Sequence, residues 1–434
     1  ELFDESRARC MVMAYDYTVL AATQGMMNHK KKDRMLRLAE QLRLPLVLFA
    51  EGGGGRPGDV DVFEVSVAGL DITTFKQYAK LSGLVPVVGI VAGRCFAGNA
   101  ALLGCSDVII ATKSANIGMG GPAMIEGGGL GACKPEDIGP IAIQTRNGVV
   151  DVAVEDEAEA VQVAKKYLSY FQGPIEKWEC ADQRLLRRCV RENRLRVYNV
   201  RAVIETLADR NSVLELRPTF GVGIITAFIR IEGKPFGLLA NNPMHLGGAI
   251  DAPGADKAAR FMQLCDAFDI PLVTLCDTPG FMVGPDAEKS AQVRHFCRMF
   301  VVGASLTVPW FAVVLRKGYG LGAQAMVGGS FHSPFFIVSW PTGEFGGMGL
   351  EGAVRLGFRK ELEAVEDPAE RQALYESMVA MAYQHGKGLN MASVQEIDDV
   401  IDPLETRSWL MRGFQSIPPP GPRTGKKRPC IDAW

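Results

Sequence analysis

Two short stretches of this 434-residue chain set backbone N–H groups where an oxyanion can be held: Gly93-Arg-Cys-Phe-Ala-Gly98-Asn99-Ala100 and Arg316-Lys-Gly-Tyr-Gly320-Leu321-Gly322-Ala323. Each follows an apolar run that reads as a buried strand, and each leads into a short helix-like run, Ala100 to Gly104 and Ala323 to Val327. Amides at such a turn lack intrahelical partners and have the helix dipole behind them. Glycine there also serves plain close packing of strand on helix, which is the alternative use of either loop alone. A matched pair favours anion binding. No GxSxG, HExxH or GxxxxGK[ST] pattern is present, and the five histidines (29, 245, 295, 332 and 385) stand apart in sequence. The second loop satisfies a dinucleotide fingerprint, Gly318-x-Gly320-x-x-Ala323. The strand after it, however, closes on Trp340-Pro341 without the acidic residue a ribose needs, and the first loop lacks the fingerprint.

The elements that position these loops occur twice. Leu44-Pro-Leu-Val-Leu48 returns as Ile270-Pro-Leu-Val-Thr274, 226 residues on, and the helix-like Arg37 to Arg43 falls on Gln263 to Asp269 at the same offset. Val85-Pro-Val-Val-Gly-Ile-Val-Ala-Gly93 then answers Val308-Pro-Trp-Phe-Ala-Val-Val-Leu-Arg316, offset by 223. Each half reads as strand, helix, a strand ending in a Gly/Pro turn, helix, and a third strand opening into the glycine loop. The order predicts alternating α/β structure built by duplication. We expect a first domain over 1–172, closed by a helix within 155–171, a connector over 173–212, a second domain over 213–416 and a basic tail over 417–434 that is mobile. The connector carries Arg184, Arg187, Arg188, Arg191, Arg194 and Arg196, a pattern of a solvated helix face or of a docking face.

Composition excludes several classes. Forty-seven Lys and Arg balance 49 Asp and Glu, so the basic surface required for nucleic-acid binding is not supplied. No apolar stretch reaches the ~18 residues of a membrane span; Gly223 to Ile229 and Ser333 to Trp340 read as buried strands. The ten cysteines include no CxxC pair, which leaves zinc and redox motifs unsupported and points to a reducing compartment. No metal site is expected. Glycine, at 48 residues, exceeds the usual ~7% and clusters in the loops. The chain opens on Glu1 without Met, the pattern of a trimmed or internal fragment.

The set Glu51-Gly-Gly-Gly-Gly-Arg56, Gly93 to Asn99, Phe236-Gly-Leu-Leu-Ala-Asn-Asn-Pro243, Asp277-Thr-Pro-Gly-Phe281, Arg316 to Gly320, Trp340-Pro-Thr-Gly-Glu344 and Ile401-Asp-Pro-Leu-Glu-Thr-Arg407 resembles the carboxyltransferase subunit of biotin-dependent acyl-CoA carboxylases. That family includes the propionyl-, methylcrotonyl- and geranyl-CoA enzymes, and the likeness covers nearly the whole chain, with the family's leading segment shortened. It implies two tandem crotonase-like β-β-α spiral domains and a site at a dimer interface, with CoA on the first domain of one subunit and biotin on the second domain of its neighbour. By loop alignment the amides of Gly98 and Asn99 form one oxyanion hole and those of Leu321 and Gly322 the other. Moving a carboxyl group from biotin N1 to the α-carbon of a thioester calls for stabilising a ureido oxyanion and an enolate, and two holes suffice.

The resemblance places Gly53, Gly54, Gly55, Arg56, Gly120 and Gly121 in acyl-CoA binding, and puts Gln324 where the family selects acyl length. Arg56 serves equally as a plain turn arginine. Two departures stand out: Asn99 replaces a second loop glycine, and Leu321 replaces a small residue, narrowing the pocket. The chain has no biotinyl-lysine motif and no ATP-grasp region, so it is expected to work with a biotin carboxyl carrier and a biotin carboxylase. A homodimer core in a hexameric assembly, in the cytoplasm or a eukaryote's mitochondrial matrix, completes the expectation. The alternatives are a non-catalytic crotonase-like scaffold and a nicotinamide-dependent oxidoreductase.

Overall fold

A computed structural model describes residues 3–56, 58–60, 70–191, 193–194 and 196–434. Residues 1 and 2, at the head of the expected first domain, and 192 and 195, in the expected connector, lie outside the described residues. The first half builds a five-stranded parallel sheet from β1 (Met11–Ala14), β2 (Leu46–Phe49), β3 (Val87–Val91), β5 (Val108–Thr112) and β7 (Val152–Val154), in that spatial order. Two short strands, β4 (Arg94–Phe96) and β6 (Asn116–Gly118), pair beside it. In the second half, β8 (Leu214–Leu216) and β9 (Ile224–Ile231) run antiparallel at one edge. They are followed in space by β10 (Lys234–Asn241), β11 (Leu272–Thr278), β12 (Trp310–Tyr319), β13 (Phe336–Ser339) and β15 (Asp399–Val400), with β14 (Glu344–Gly346) pairing the end of β12.

The duplication is exact in register across the first pair of strands. Met11 faces Leu46 across β1 and β2, and Gly237 faces Leu272 across β10 and β11, both partners displaced by the same 226 residues. Leu46 then faces Val87 while Leu272 faces Trp310, which is the 223-residue offset read from sequence. Each half therefore winds as strand, short strand and helix, the crotonase-like spiral that the motifs imply.

Helix Ala252–Ala267 is buried on nearly every face because it is sandwiched between the halves. Its Ala255, Phe261 and Met262 share one apolar core with Val47, Ile90 and Val108 of the first half and Leu272 of the second. A buried ion pair, Arg217 Nε to Asp151 Oδ1 at 2.9 Å, also crosses between the halves. The helix expected within 155–171 runs over Glu157–Ser169, started by Asp156, whose carboxylate accepts from Glu159 N–H. Connector helices Leu186–Cys189 and Val200–Leu207 lay Leu186, Val203, Ile204 and Leu207 against Ile225, Ile229 and Phe236 of the second sheet. Within the basic run, Arg184, Arg187 and Arg194 are paired with Asp182, Asp402 and Glu351.

The tail corrects an expectation of mobility. Ile431 is buried, Arg428 and Lys427 pair with Asp266, and Trp434 packs edge-on against Phe220. Buried carboxylates on the second half and an apolar terminus hold what its proline and lysine content alone reads as free chain. Ser82 of the first half exchanges two hydrogen bonds with the backbone of Ile431, so the tail also straps the halves together.

Candidate active site

The first loop is held by an asparagine. Gly98 and Asn99 open helix Gly98–Gly104 after Ala97, whose φ of 52° turns the chain sharply. Asn99 is fully buried, and its Oδ1 accepts from Gln24 Nε2 at 2.9 Å and from Gly54 N–H at 3.2 Å while its Nδ2 donates to Glu51 O at 3.1 Å. This one side chain bolts Glu51-Gly-Gly-Gly-Gly-Arg56 to the head of the helix. Gly52 and Gly54 are glycine for a steric reason: with φ of +154° and +90°, a Cβ would lie 2.3 Å from Asn99 Nδ2 at the first and 2.5 Å from Ala97 Cβ at the second. Gly53 and Gly55 complete that loop, Gly53 N–H bonding Ala21 O and Gly55 bridging Gln24. Gly118 O accepts from Ala97 N–H at 3.1 Å, and Gly121, which precedes helix Pro122–Gly127, lies over Phe96, so Gly120 and Gly121 flank the same turn.

Arg56 is turned inward. Its Nε and Nη2 donate to the hydroxyl and carbonyl of Thr23, and Nη1 lies 3.6 Å from Asp59. Those contacts are the ones a structural turn arginine makes.

The second loop repeats the scheme with different bolts. Gly320 has φ of +57°, and a Cβ there would stand 2.7 Å from Gly347 O; at Gly322 it would stand 2.7 Å from Gly280 Cα. The Asp277-Thr-Pro-Gly-Phe281 turn thus packs directly against the helix start at Gly320–Ala325. Asp277, wholly buried, accepts from Arg316 Nε and Lys317 N–H, both at 3.1 Å. Arg316 in turn donates to the carbonyls of Arg194 and Arg196, tying the connector to the loop. Burial lowers the Lys317 ammonium below its ordinary range, and Lys317 Nζ donates to Gly247 O. Tyr319 O–H donates to Glu344 at 3.1 Å, and burial raises the Glu344 carboxyl. Arg407 holds Asp209 and the carbonyl of Leu207, so the Ile401 to Arg407 motif fastens the connector.

Among the described residues no acceptor takes the N–H of Gly98, Asn99, Leu321 or Gly322. Leu321 projects into solvent, 63% exposed, so it stands at the rim. Gln324 lines a cavity of about 690 Å³ with Phe331, His332, Gly346, Gly347 and Leu350. Sequence reasoning missed the Asn99 and Asp277–Arg316 bolts. Both residues sat inside recognised motifs, but their partners lie 45 and 39 positions away.

Among the described residues no group of three or more His, Cys, Asp or Glu is placed to hold a metal, and no helix is long and apolar enough to cross a membrane. All ten cysteines are free thiols.

The family description "Carboxyl transferase domain" matches residues 8–417. The methylmalonyl-CoA carboxyltransferase 12S subunit of Propionibacterium freudenreichii subsp. shermanii is 33% identical over 414 residues, covering 92% of this chain and 77% of that protein. A single-chain, multi-domain long-chain acyl-CoA carboxylase superposes with a TM-score of 0.88 at 61% identity over 94% of this chain, which spans 40% of that enzyme's length. The transcarboxylase 12S structure, described as a hexamer assembly in a multienzyme core, superposes at 0.82 with 30% identity, over 94% of this chain and 80% of that one. Since the domain description runs through both halves of the duplication and both solved structures share the whole spiral, this chain belongs to the carboxyl transferase domain family.

Proposed function

We propose that the chain carries out the carboxyltransferase half-reaction of a biotin-dependent acyl-CoA carboxylase, with long-chain acyl-CoA as its substrate class. The observation that carries this reading is the pair of loops at equivalent ends of β3 and β12, each presenting two main-chain amides that have no acceptor among the described residues. A neutral N–H pair suits an oxygen that gains charge during reaction and stabilises it in a way no titrating side chain needs to assist. In this reading Gly98 and Asn99 hold one developing oxyanion and Leu321 and Gly322 the other. Gly53, Gly54, Gly55, Gly120 and Gly121 let the thioester approach main chain, and Arg56 shapes that wall. Carboxybiotin supplies the carboxyl group when bound, and the Leu321 and Gly322 donors fit its ureido oxygen. Asn99 and Asp277 fix the two pairs of donors through their loops, and the long-chain enzyme's 61% identity supports the substrate class.

On this reading the first domain covers residues 1–172, the second 213–416, and the functional unit is a homodimer within a larger, hexameric assembly. A biotin carrier and a biotin carboxylase serve it as separate chains or domains, in the cytoplasm or the mitochondrial matrix. The test is carboxylation of acyl-CoAs of graded length with carboxybiotin. Activity rising with chain length, and a Gln324→Ile variant that changes the ratio of kcat/KM between short and long substrates by about 1–3 kcal/mol, support the assignment. Activity confined to propionyl-CoA contradicts the long-chain class.

A further inference from the structure

The end of each sheet remote from the glycine loops carries a cavity, and the two cavities are copies. Arg43 caps helix Met26–Leu42 and Asp269, 226 residues on, follows helix Ala252–Ala267, both with left-handed φ, 54° and 57°. Pro45, Val85 and Pro86 of the first half recur as Pro271, Val308 and Pro309 of the second. Each set lines its cavity where the parallel strands begin, and the loops lie where they end.

The charges of the two copies are opposite, and only one is answered. In the second half Asp269 pairs with Arg423 and Lys427 of the tail, whose prolines 418–420 line the cavity. In the first half the cavity, of about 430 Å³, has Arg7, Arg9, Arg43 and Arg423 in its walls and, among the described residues, no Asp or Glu. Arg7 is paired with Asp4, and Arg423 with Asp269. Arg43 donates to Thr424 O from Nη2 at 2.9 Å and meets no carboxylate, and the Arg9 guanidinium has no partner among the described residues. Arginine thus stands at a left-handed cap that glycine or asparagine usually fills, with a second unanswered guanidinium in the same walls.

The remaining walls indicate the body of the ligand. Leu84, Val85, Leu168 and Phe171 give the cavity an apolar floor. A guanidinium takes a planar carboxylate through two parallel N–H bonds, and a few polar groups over an apolar floor, in a volume of roughly 300–1,000 Å³, make a small-molecule site. An inorganic anion leaves that floor bare. We propose that this cavity binds a carboxylate with an apolar body, of the fatty-acid class, its head on Arg9 and Arg43 and its chain on Leu84, Val85 and Phe171. The site is distinct from the glycine loops and does not depend on the carboxyltransferase reading.

Calorimetric titration of the full chain with octanoate, octanol and inorganic phosphate tests it, together with alkylation of Cys10, a partly exposed thiol in the cavity wall, followed by peptide mass spectrometry. Octanoate should slow alkylation of Cys10 and leave that of Cys297, exposed and outside the cavity, unchanged. Arg9→Gln and Arg43→Gln, both at exposed positions, should each weaken octanoate about 10-fold, the worth of one hydrogen bond to a charged group. Arg43→Asp, which gives the first half the charge of the second, should abolish binding. Octanol, with the same chain and no charge, should bind about 10-fold more weakly or less, and phosphate should leave Cys10 unprotected. Octanoate affinity unchanged in both glutamine variants, no protection of Cys10, or protection by phosphate equal to that by octanoate overturns the site.

Discussion

Asn99 Oδ1 accepts the backbone N–H of Gly54 at 3.2 Å, joining two glycine motifs that lie 45 residues apart. Asn99 is therefore the fastener of the loop as well as the source of one of its free main-chain N–H groups. Asn99→Ala leaves the Gly54 N–H and the Gln24 amide buried without an acceptor, at about 1–3 kcal/mol each. We expect a fall in unfolding free energy of that size and a loss of turnover, read by urea denaturation and steady-state kinetics. An alanine variant with parental stability would show that water or a rearranged loop replaces the bolt.

Gly322→Ala drives a Cβ to within 2.7 Å of the backbone at Gly280. Backbone cannot yield as a side-chain tip does, so the loop must shift, and a displacement near 1 Å costs about 100-fold in rate. Gly104→Ala, which meets nothing within 4 Å at the end of the first-loop helix, is the control and should keep full activity. Comparable losses in both variants would contradict the steric account.

Arg316→Met strands the carboxylate of Asp277, which is wholly buried. Losing one partner of a buried pair costs about 3–5 kcal/mol, and replacing both restores much of it. A double-mutant cycle of Arg316→Met with Asp277→Leu should show strong positive coupling. Additive effects would mean that the pair acts as two independent groups.

Asp107 supplies a pH signature. Its carboxylate accepts Val87 N–H at 2.8 Å, and burial pushes its pKa from 3.8 up to about 7. Between those values the folded chain holds a proton that the unfolded chain has released, so this group's contribution to stability is present at low pH and is lost as pH rises through 7. Asp107→Asn escapes that loss. Its stability relative to the parent should grow from pH 5 to pH 8 by on the order of 1–4 kcal/mol, seen as diverging urea midpoints. Parallel midpoints contradict the assignment.

The duplication and both loops were legible in sequence because strand register preserves spacing: the 226-residue offset of Leu44-Pro-Leu-Val-Leu48 is the offset of paired residues in β1/β2 and β10/β11. Asn99 and Arg316 were legible as motif members and not as bolts, since a buried hydrogen bond leaves no periodic mark in either partner. The tail misled for a related reason. Proline and lysine describe a chain with no partner, and the partners are Asp266 and Asp269, about 160 residues earlier.

The central claim, two main-chain oxyanion holes serving carboxyl transfer, is tested most directly by the reverse reaction: decarboxylation of a long-chain carboxyacyl-CoA by the purified chain, with and without free biotin or biocytin. The account predicts turnover that depends on added biotin, needs neither nucleotide nor nicotinamide, and falls about 10²- to 10³-fold in a folded Leu321→Pro variant that has lost one donor. Biotin-independent decarboxylation, a requirement for NAD, or undiminished turnover in the proline variant would contradict it.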